Sequence, residues 1–268
     1  MATIYATDKN ALPKRSANDL YQTEQTLVEA ALKAERVGII AAVPLGSPLE
    51  ILEPGCGDAR WGVTAQRMAE ESRKENGIWE HPTQLTTIDI DARWFVPDGT
   101  YPNYKHVMAD FMKFDTNMTF DLIVGNFPYG PTIQGRDKVR QVFYEQGWGK
   151  CHEEQQHLGM AEMFIRKGHS LLKAGGVMLC LLESQFASSV DRYYGLWETH
   201  APVRQWVCSR RPSFYGGGTN ATEFSVFVWE KDYAGKNRGI PHEWQTKLLM
   251  YERAPKPKKV KKNANKLD

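Results

Sequence analysis

Asn126-Phe127-Pro128-Tyr129 is the stretch whose residue types and order can do chemistry. The apolar run 122–124, bounded by Gly125 and Pro128, reads as a short buried strand ending just before Asn126. Open α/β sheets bind their ligands at such carboxyl ends. An Asn, an arbitrary residue, a Pro and an aromatic suit the holding of an exocyclic amine attached to an aromatic ring. The lone pair of that amine is delocalised, so it attacks an electrophile poorly. The Asn126 side-chain oxygen and the Phe127 main-chain carbonyl can accept its two hydrogens and favour a tetrahedral nitrogen, while Tyr129 stacks on the ring. Taken alone, the same four residues also describe an Asn-led turn that closes a strand. The segments before them decide between the two.

Three further strand-like runs precede the motif, and each ends in an acid. The run 49–52 leads into Glu53-Pro54-Gly55-Cys56-Gly57-Asp58 and then a helix-like stretch to about residue 75. Strand, Gly turn and helix form the nucleoside-binding arrangement of α/β folds. Glu53 and Asp58 would repel a pyrophosphate but suit the ammonium of the methionyl group of S-adenosylmethionine, with Gly55 and Gly57 allowing close backbone approach. The alternating run 84–88 ends in Asp89, placed to reach the ribose hydroxyls of a bound adenosine. The run 105–109 ends in Asp110, an acceptor for the adenine amino group, and Phe111, a cover for its ring. Upstream, Tyr21 and Thr23 stand before a helix expected from about residue 24 to 37, with Leu27, Ala30, Ala31 and Ala34 on one stripe. Thr23 suits either an N-cap or a contact to the polar end of a small ligand.

Composition narrows the classes. The 268 residues suit one elaborated domain, and 41% hydrophobic with 25% charged residues is ordinary for a globular protein. No apolar run approaches the roughly 20 residues of a membrane span, and residues 1–14 lack an apolar signal region. Four widely spaced Cys, without paired spacing, point to a reduced cytoplasmic setting and no disulfide framework. Cys151, His152 and His157 lack a fourth ligand at a recognisable spacing, so no metal is expected. The net charge of +2 hides an asymmetry, because residues 252–268 hold seven of the 34 Lys and Arg but two of the 32 acids. That tail suits either nonspecific attraction to nucleic acid or solubilisation.

With these motifs in this order, the chain resembles the S-adenosylmethionine-dependent amino methyltransferases of DNA over roughly residues 19–229. It looks like the N6-adenine class, in which the cofactor motif precedes the catalytic one. Tyr21-Gln22-Thr23, Glu53 to Asp58, Ile88-Asp89-Ile90-Asp91, Ala109-Asp110-Phe111 and Asn126 to Tyr129 are similar to that family's motifs. The compact length is similar to solitary enzymes of phages and mobile elements, which would act in a host-cell cytoplasm. The resemblance implies a Rossmann-like class I methyltransferase fold, α/β, with about seven mostly parallel strands and a closing antiparallel pair. It also implies S-adenosylmethionine as methyl donor, with Ile90 and Asn126 joining the cofactor contacts. The family more often has Pro where Phe127 stands, and small residues where Arg60-Trp61 follow the turn. N4-cytosine methylation, methylation of RNA adenine or of a protein glutamine, and a non-catalytic nucleic-acid-binding scaffold are the competing readings.

Beyond the motif, the loop 131–157 sets Arg136, Lys138 and Arg140 among aromatics, suiting phosphate contacts and stacking on flanking bases, or equally a solvated surface loop. A helix 159–172, a Lys173-Ala174-Gly175-Gly176 turn and a strand 177–182 follow. Strands are expected at 203–208 and 223–229, and the segment 209–222 lies between them. There Arg210 and Arg211 are candidate nucleic-acid contacts, and the resemblance makes Phe214, with Tyr215 second, the aromatic that packs on the target base opposite Tyr129. The expected organisation is a lead-in over 1–18, a catalytic domain over 19–251 with target-recognition loops at 131–157 and 209–222, and the basic tail 252–268.

Overall fold

Strands at the centre of a parallel sheet are covered on both faces and carry continuous apolar runs. Leu49–Pro54 (β1) and Phe120–Gly125 (β4) are of this kind, buried along almost their whole length. They lie side by side in a computed structural model that describes residues 22–41, 47–75, 82–94, 102–128, 159–188, 192, 196–214, 222–232 and 245–251. Thr83–Asp89 (β2), Tyr104–Met108 (β3), Leu172–Glu183 (β5), Arg204–Cys208 (β6), Phe224–Glu230 (β7) and Gln245–Leu249 (β8) complete an eight-stranded sheet of order β3-β2-β1-β4-β5-β7-β6-β8. The first five strands are mutually parallel, and β7 is antiparallel to both β5 and β6. The expected α/β class and closing antiparallel pair are therefore present.

Side chains alternate between the two faces. Ile51, Leu122, Val124, Leu179 and Val226 meet Gln25–Ala41 (α1) and Arg60–Glu75 (α2) through Leu27, Val28, Ala31, Trp61 and Ala65. Leu52, Ile123, Met178, Phe227 and Trp229 meet Met160–Leu171 (α3) through Ala161, Met163, Phe164 and Ile165. Among the described residues no helix is long and apolar enough to cross a membrane.

Three expectations change. The buried stripe of α1 is Leu27, Val28, Ala31 and Leu32, while Ala34 is exposed. The next turn buries Glu35, whose carboxylate accepts from both Nε and Nη2 of Arg204 of β6, with Nη2 to Oε2 at 2.8 Å. Arg204 also reaches Glu230 at 2.7 Å, so α1 is tied to the far half of the sheet by ions as well as by apolar contact. Second, Lys173 to Gly176 is part of β5. Phe120 pairs with Leu172 and Leu122 with Val177, so the extra residues bulge out of the ladder, with Gly175 left-handed at φ 75°. Third, β8 pairs parallel with β6 as an eighth strand. Its sequence, Gln-Thr-Lys-Leu-Leu, has the half-polar character of an edge.

Candidate active site

The sheet order reverses at β1, which has β2 on one side and β4 on the other; ligands of open sheets bind at such a switch point. Because β3, β2, β1 and β4 are adjacent and parallel, their carboxyl ends bring Asp110, Asp89, the Gly turn and Asn126 to one edge in that spatial order. Residues 126–128 follow β4 directly, with Phe127 fully buried and Asn126 and Pro128 half-buried. A Cβ built on Gly55 would stand 3.7 Å from Cδ of Pro128 and 3.4 Å from Cε1 of Phe164. The turn after β1 and the motif after β4 are therefore in contact. Tyr129, together with Tyr21, Arg136, Lys138, Arg140, Tyr215 and the Cys151, His152 and His157 group, lies outside the described residues.

Gly55 and Gly57 are left-handed, with φ of 65° and 51°, which explains the residue type at both positions. The amides of Gly55 and Cys56 donate to the carbonyl of Ile88, and that of Gly57 donates to Asp89 Oδ2 at 2.8 Å. Asp89 Oδ1 accepts from the Asp91 amide, also at 2.8 Å. Asp89 thus fixes the turn from the neighbouring strand while remaining half-buried at the edge, with Ile90 beside it 60% exposed. Asp110 caps the short 3₁₀ turn Phe111–Lys113 by accepting from the Met112 amide at 2.9 Å.

Several side chains named from the sequence do other work here. Glu53 points inward: Oε2 accepts from the Gly62 amide at 2.6 Å, in the first turn of α2, which has no acid of its own. Its carboxyl oxygen satisfies one of the amides that a helix start leaves without an intrahelical partner. Burial pushes its carboxyl well above the usual range, with Asp58 and Asp89 adding to the rise and the Gly62 and Trp61 amides opposing it. Above about pH 4.5, the reference value, an unfolded chain releases a proton that the folded chain keeps, so this group lowers stability as pH rises toward its folded pKa. Glu53→Gln, which cannot ionise, should flatten the fall of the denaturation midpoint over that interval; equal slopes for both proteins would contradict the buried proton.

Asp58 is paired with Arg60 at 2.6 Å, and Arg60 also donates to the carbonyl of Thr23. Thr23 is 2% exposed, and its hydroxyl accepts from the Trp61 indole at 3.2 Å. Thr23 is therefore neither a cap nor presented to the cleft: the Arg60-Trp61 pair staples the start of α1 to the Gly turn. The remaining corrections concern aromatics. Phe111 is 2% exposed and packs on Phe164 with ring centroids 4.9 Å apart, so it lies beneath the edge instead of covering a ligand ring. Phe214 is 7% exposed and edge-on to Phe224 at 4.9 Å, a core position that removes it as a stacking face for a target base. Arg210 donates to the Tyr251 carbonyl, and Arg211 stands 3.8 Å from Glu223 in a solvent-exposed pair of little energetic weight.

The sequence marks Phe164 of α3 as a core residue and gives no role to Lys167, and both bear on the edge. Phe164 touches Phe111, Phe127 at 5.6 Å between centroids, and the Gly55 turn, so one ring supports three of the four loops at the edge. Lys167 donates to the carbonyls of Met112 and Phe114 at 3.0 and 2.6 Å, closing the turn that carries Asp110. An apolar helix stripe gives no sign of which ring bears on a site. Phe164→Ala should lose about 3–5 kcal/mol of stability, read from denaturant unfolding, since it opens a cavity beneath three loops at once.

The fold recurs among solved structures. The chain is similar to a class I S-adenosylmethionine-dependent methyltransferase from Listeria monocytogenes, at 13% identity and TM-score 0.60, covering 90% of this chain and 68% of that one. The fold is that of the class I methyltransferases. It is also similar to the type I restriction-modification methyltransferase subunit from Streptococcus thermophilus (15% identity, TM-score 0.54, 86% of this chain and 52% of that one). A third similar structure is DrdV in complex with DNA (13% identity, TM-score 0.53, 86% and 28%). The chain thus spans about half of the Streptococcus subunit and little more than a quarter of DrdV. By sequence, residues 68–198 match the Eco57I restriction-modification methylase family. No curated protein matches. The matched segment runs from α2 through Asn126 to Tyr129 to beyond α3 and β5.

Proposed function

We propose that this protein transfers a methyl group from S-adenosylmethionine to the N6 amine of adenine in DNA. The observation that supports the reading is the closeness of the two loops at the switch point, Pro128 beside Gly55, as expected if the turn holds the cofactor and the motif holds the amine. The match of residues 68–198 to restriction-modification methylases supports DNA as the substrate class.

The donor set suits this cofactor better than a dinucleotide. Glu53 turns inward, and Asp58, Asp89 and Asp110 stand at the turn and strand ends, where Arg60 is paired with Asp58, Arg93 with Asp91, and Lys167 is bonded to the Met112 and Phe114 carbonyls, a balance unfavourable to phosphates and tolerant of a sulfonium and an ammonium. Asp89 would hold the ribose hydroxyls, Ile90 would pack on the adenine, Asp110 would accept from its amino group, and the Gly55 and Gly57 backbone would face the methionyl portion beside Asp58. When bound, the cofactor supplies an electrophilic methyl group. Glu53 contributes through the helix start it caps.

Adenine in a duplex is buried in the stack and must be turned out to meet Asn126. The Asn126 side-chain oxygen and the Phe127 carbonyl would then take the two amine hydrogens, and Tyr129 would stack on the base. The full burial of the Phe127 ring fits a position that works through its main chain and tolerates an apolar side chain. Incubating DNA with protein and cofactor, digesting it and identifying the modified nucleoside by mass spectrometry tests the proposal. N6-methyladenine is the expected product. N4-methylcytosine, or methylation confined to RNA or to a protein glutamine, would replace it with the corresponding reading.

A further inference from the structure

Gly125 is the last residue of β4 to pair with β5, and its partner in the ladder is Cys180. Residues two apart on an extended chain share a face, so positions 125 and 127 both lie on the side of the sheet covered by α3. Cys180 is buried on that side too, in the same apolar cluster as the Phe127 ring. The ring folds back over Gly125. A Cβ built there would stand 2.9 Å from Cε1 and 3.1 Å from Cδ1 of Phe127, closer than such atoms can approach unless one of them moves, whereas its next neighbour, the Pro54 carbonyl, lies at 3.7 Å. Phe164 backs the same ring, with centroids 5.6 Å apart. The Phe127 amide donates to Sγ of Cys180, and the thiol donates to the Leu181 carbonyl at 3.9 Å. Burial pushes this thiol well above its usual range, so it stays neutral and keeps its own proton for that carbonyl.

We propose that Gly125 and Cys180 are positioning residues that together aim the Phe127 carbonyl at the substrate amine. The inference deepens the amine-methylating reading above and rests on it. A planar peptide leaves each residue two soft torsions, so the direction of the Phe127 carbonyl is set by φ and ψ of that one residue. The sulfur holds the Phe127 nitrogen from one side, and the ring is wedged between Gly125 and Phe164, which fixes the direction of Cβ; with both directions held, φ is held. Pro128 restrains ψ, because its ring clashes with a helical residue before it and keeps that residue extended. Both torsions are thus restrained before any ligand arrives. A dipole that need not reorganise when the amine becomes tetrahedral is the kind that lowers a barrier. Neither Gly125 nor Cys180 touches the substrate in this scheme: each acts through Phe127. A side chain at 125 would push the ring, and the ring would carry the carbonyl with it.

Single-turnover methylation of DNA by the full-length protein provides the test, with rates expressed per cofactor site counted by calorimetry so that unfolded molecules drop out of the comparison. Gly125→Ala should slow transfer about 10- to 100-fold while S-adenosylmethionine affinity stays within about twofold of wild type. Phe127→Ala removes the ring that the new methyl would displace. Adding Gly125→Ala to it should therefore cost no more than about a further twofold, because effects that act through one shared group do not add. Equal losses in the two backgrounds would overturn the role of Gly125. Cys180→Ala leaves the Phe127 amide without its acceptor and should slow transfer about three- to tenfold, whereas Cys180→Ser keeps an acceptor there and should regain part of that loss. A wild-type rate for Cys180→Ala, or equal rates for the Ala and Ser variants, would overturn the role of the bond. If Gly125→Ala yields no protein that binds the cofactor, the Cys180 pair decides alone. Wild-type protein that methylates no exocyclic amine would overturn the proposed function itself, an outcome visible before any variant is compared.

Discussion

Asn126→Ala should slow methyl transfer by about 10²–10³-fold while leaving S-adenosylmethionine binding within about twofold of wild type. Asn126 lies one residue past β4, beside the Gly turn, and Phe127 and Pro128 fix its backbone from the core side. Its proposed work is confined to the reacting amine, whose nitrogen must pass from planar to tetrahedral. An acceptor that holds an amine hydrogen only in that geometry binds the transition state better than the ground state, so removing it lowers kcat more than it raises KM. Loss of one preorganised polar group of this kind lowers kcat by about 10²–10³, and the Phe127 carbonyl alone would leave the amine half held. The check is transfer of labelled methyl to DNA beside calorimetric titration with the cofactor. Undiminished transfer by the variant would remove Asn126 from the site. Loss of cofactor binding in a folded variant would make it a cofactor residue before a catalytic one.

The fold was legible where residue type is dictated by burial on two faces. Leu49 to Leu52 and Leu122 to Val124 could be little else than central strands, and acids and an Asn at consecutive strand ends set their order relative to a ligand. Positions whose meaning depends on which way a side chain turns were not legible. Glu53 and Asp89 look alike in sequence, each an acid at a strand end. Glu53 turns inward to cap α2, whereas Asp89 stays at the edge and reaches across to Gly57. Phe111 and Phe214 were read as faces for a ring, and both are core residues, since an aromatic beside a site looks the same in sequence whether it lines the cleft or supports the loop that does. β8 escaped because a five-residue polar edge strand is specified by its pairing with β6 more than by any pattern of its own.

Asp89→Ala should weaken cofactor binding by about 30- to 1,000-fold, through two losses that act on the same loop. In the structure its two oxygens accept from the amides of Gly57 and Asp91, and both amides would be left without that acceptor. The Gly57 amide belongs to a left-handed turn whose conformation the carboxylate fixes from the next strand, so the turn would lose order before any ligand arrives. An unsatisfied amide in a half-buried site costs about 1–3 kcal/mol. Hydrogen bonds from ribose hydroxyls to a charged acceptor contribute a similar amount, and each 1.4 kcal/mol is about tenfold in affinity. Asp89→Asn separates the two losses. The amide oxygen can still accept from Gly57, restoring the turn, but its NH₂ group can only donate, and the charge that favours ribose donors is gone. Its NH₂ group then faces the Asp91 amide donor to donor, so the Asn variant should recover part of the thermal stability lost by the Ala variant, and a smaller part of the affinity. If calorimetry finds that Asp89→Asn recovers both equally, the carboxylate serves the turn alone and the ribose is held elsewhere. If neither substitution changes affinity, the Gly turn does not bind the cofactor. Either result would show up against Asn126→Ala, which should affect the chemistry and leave this loop intact.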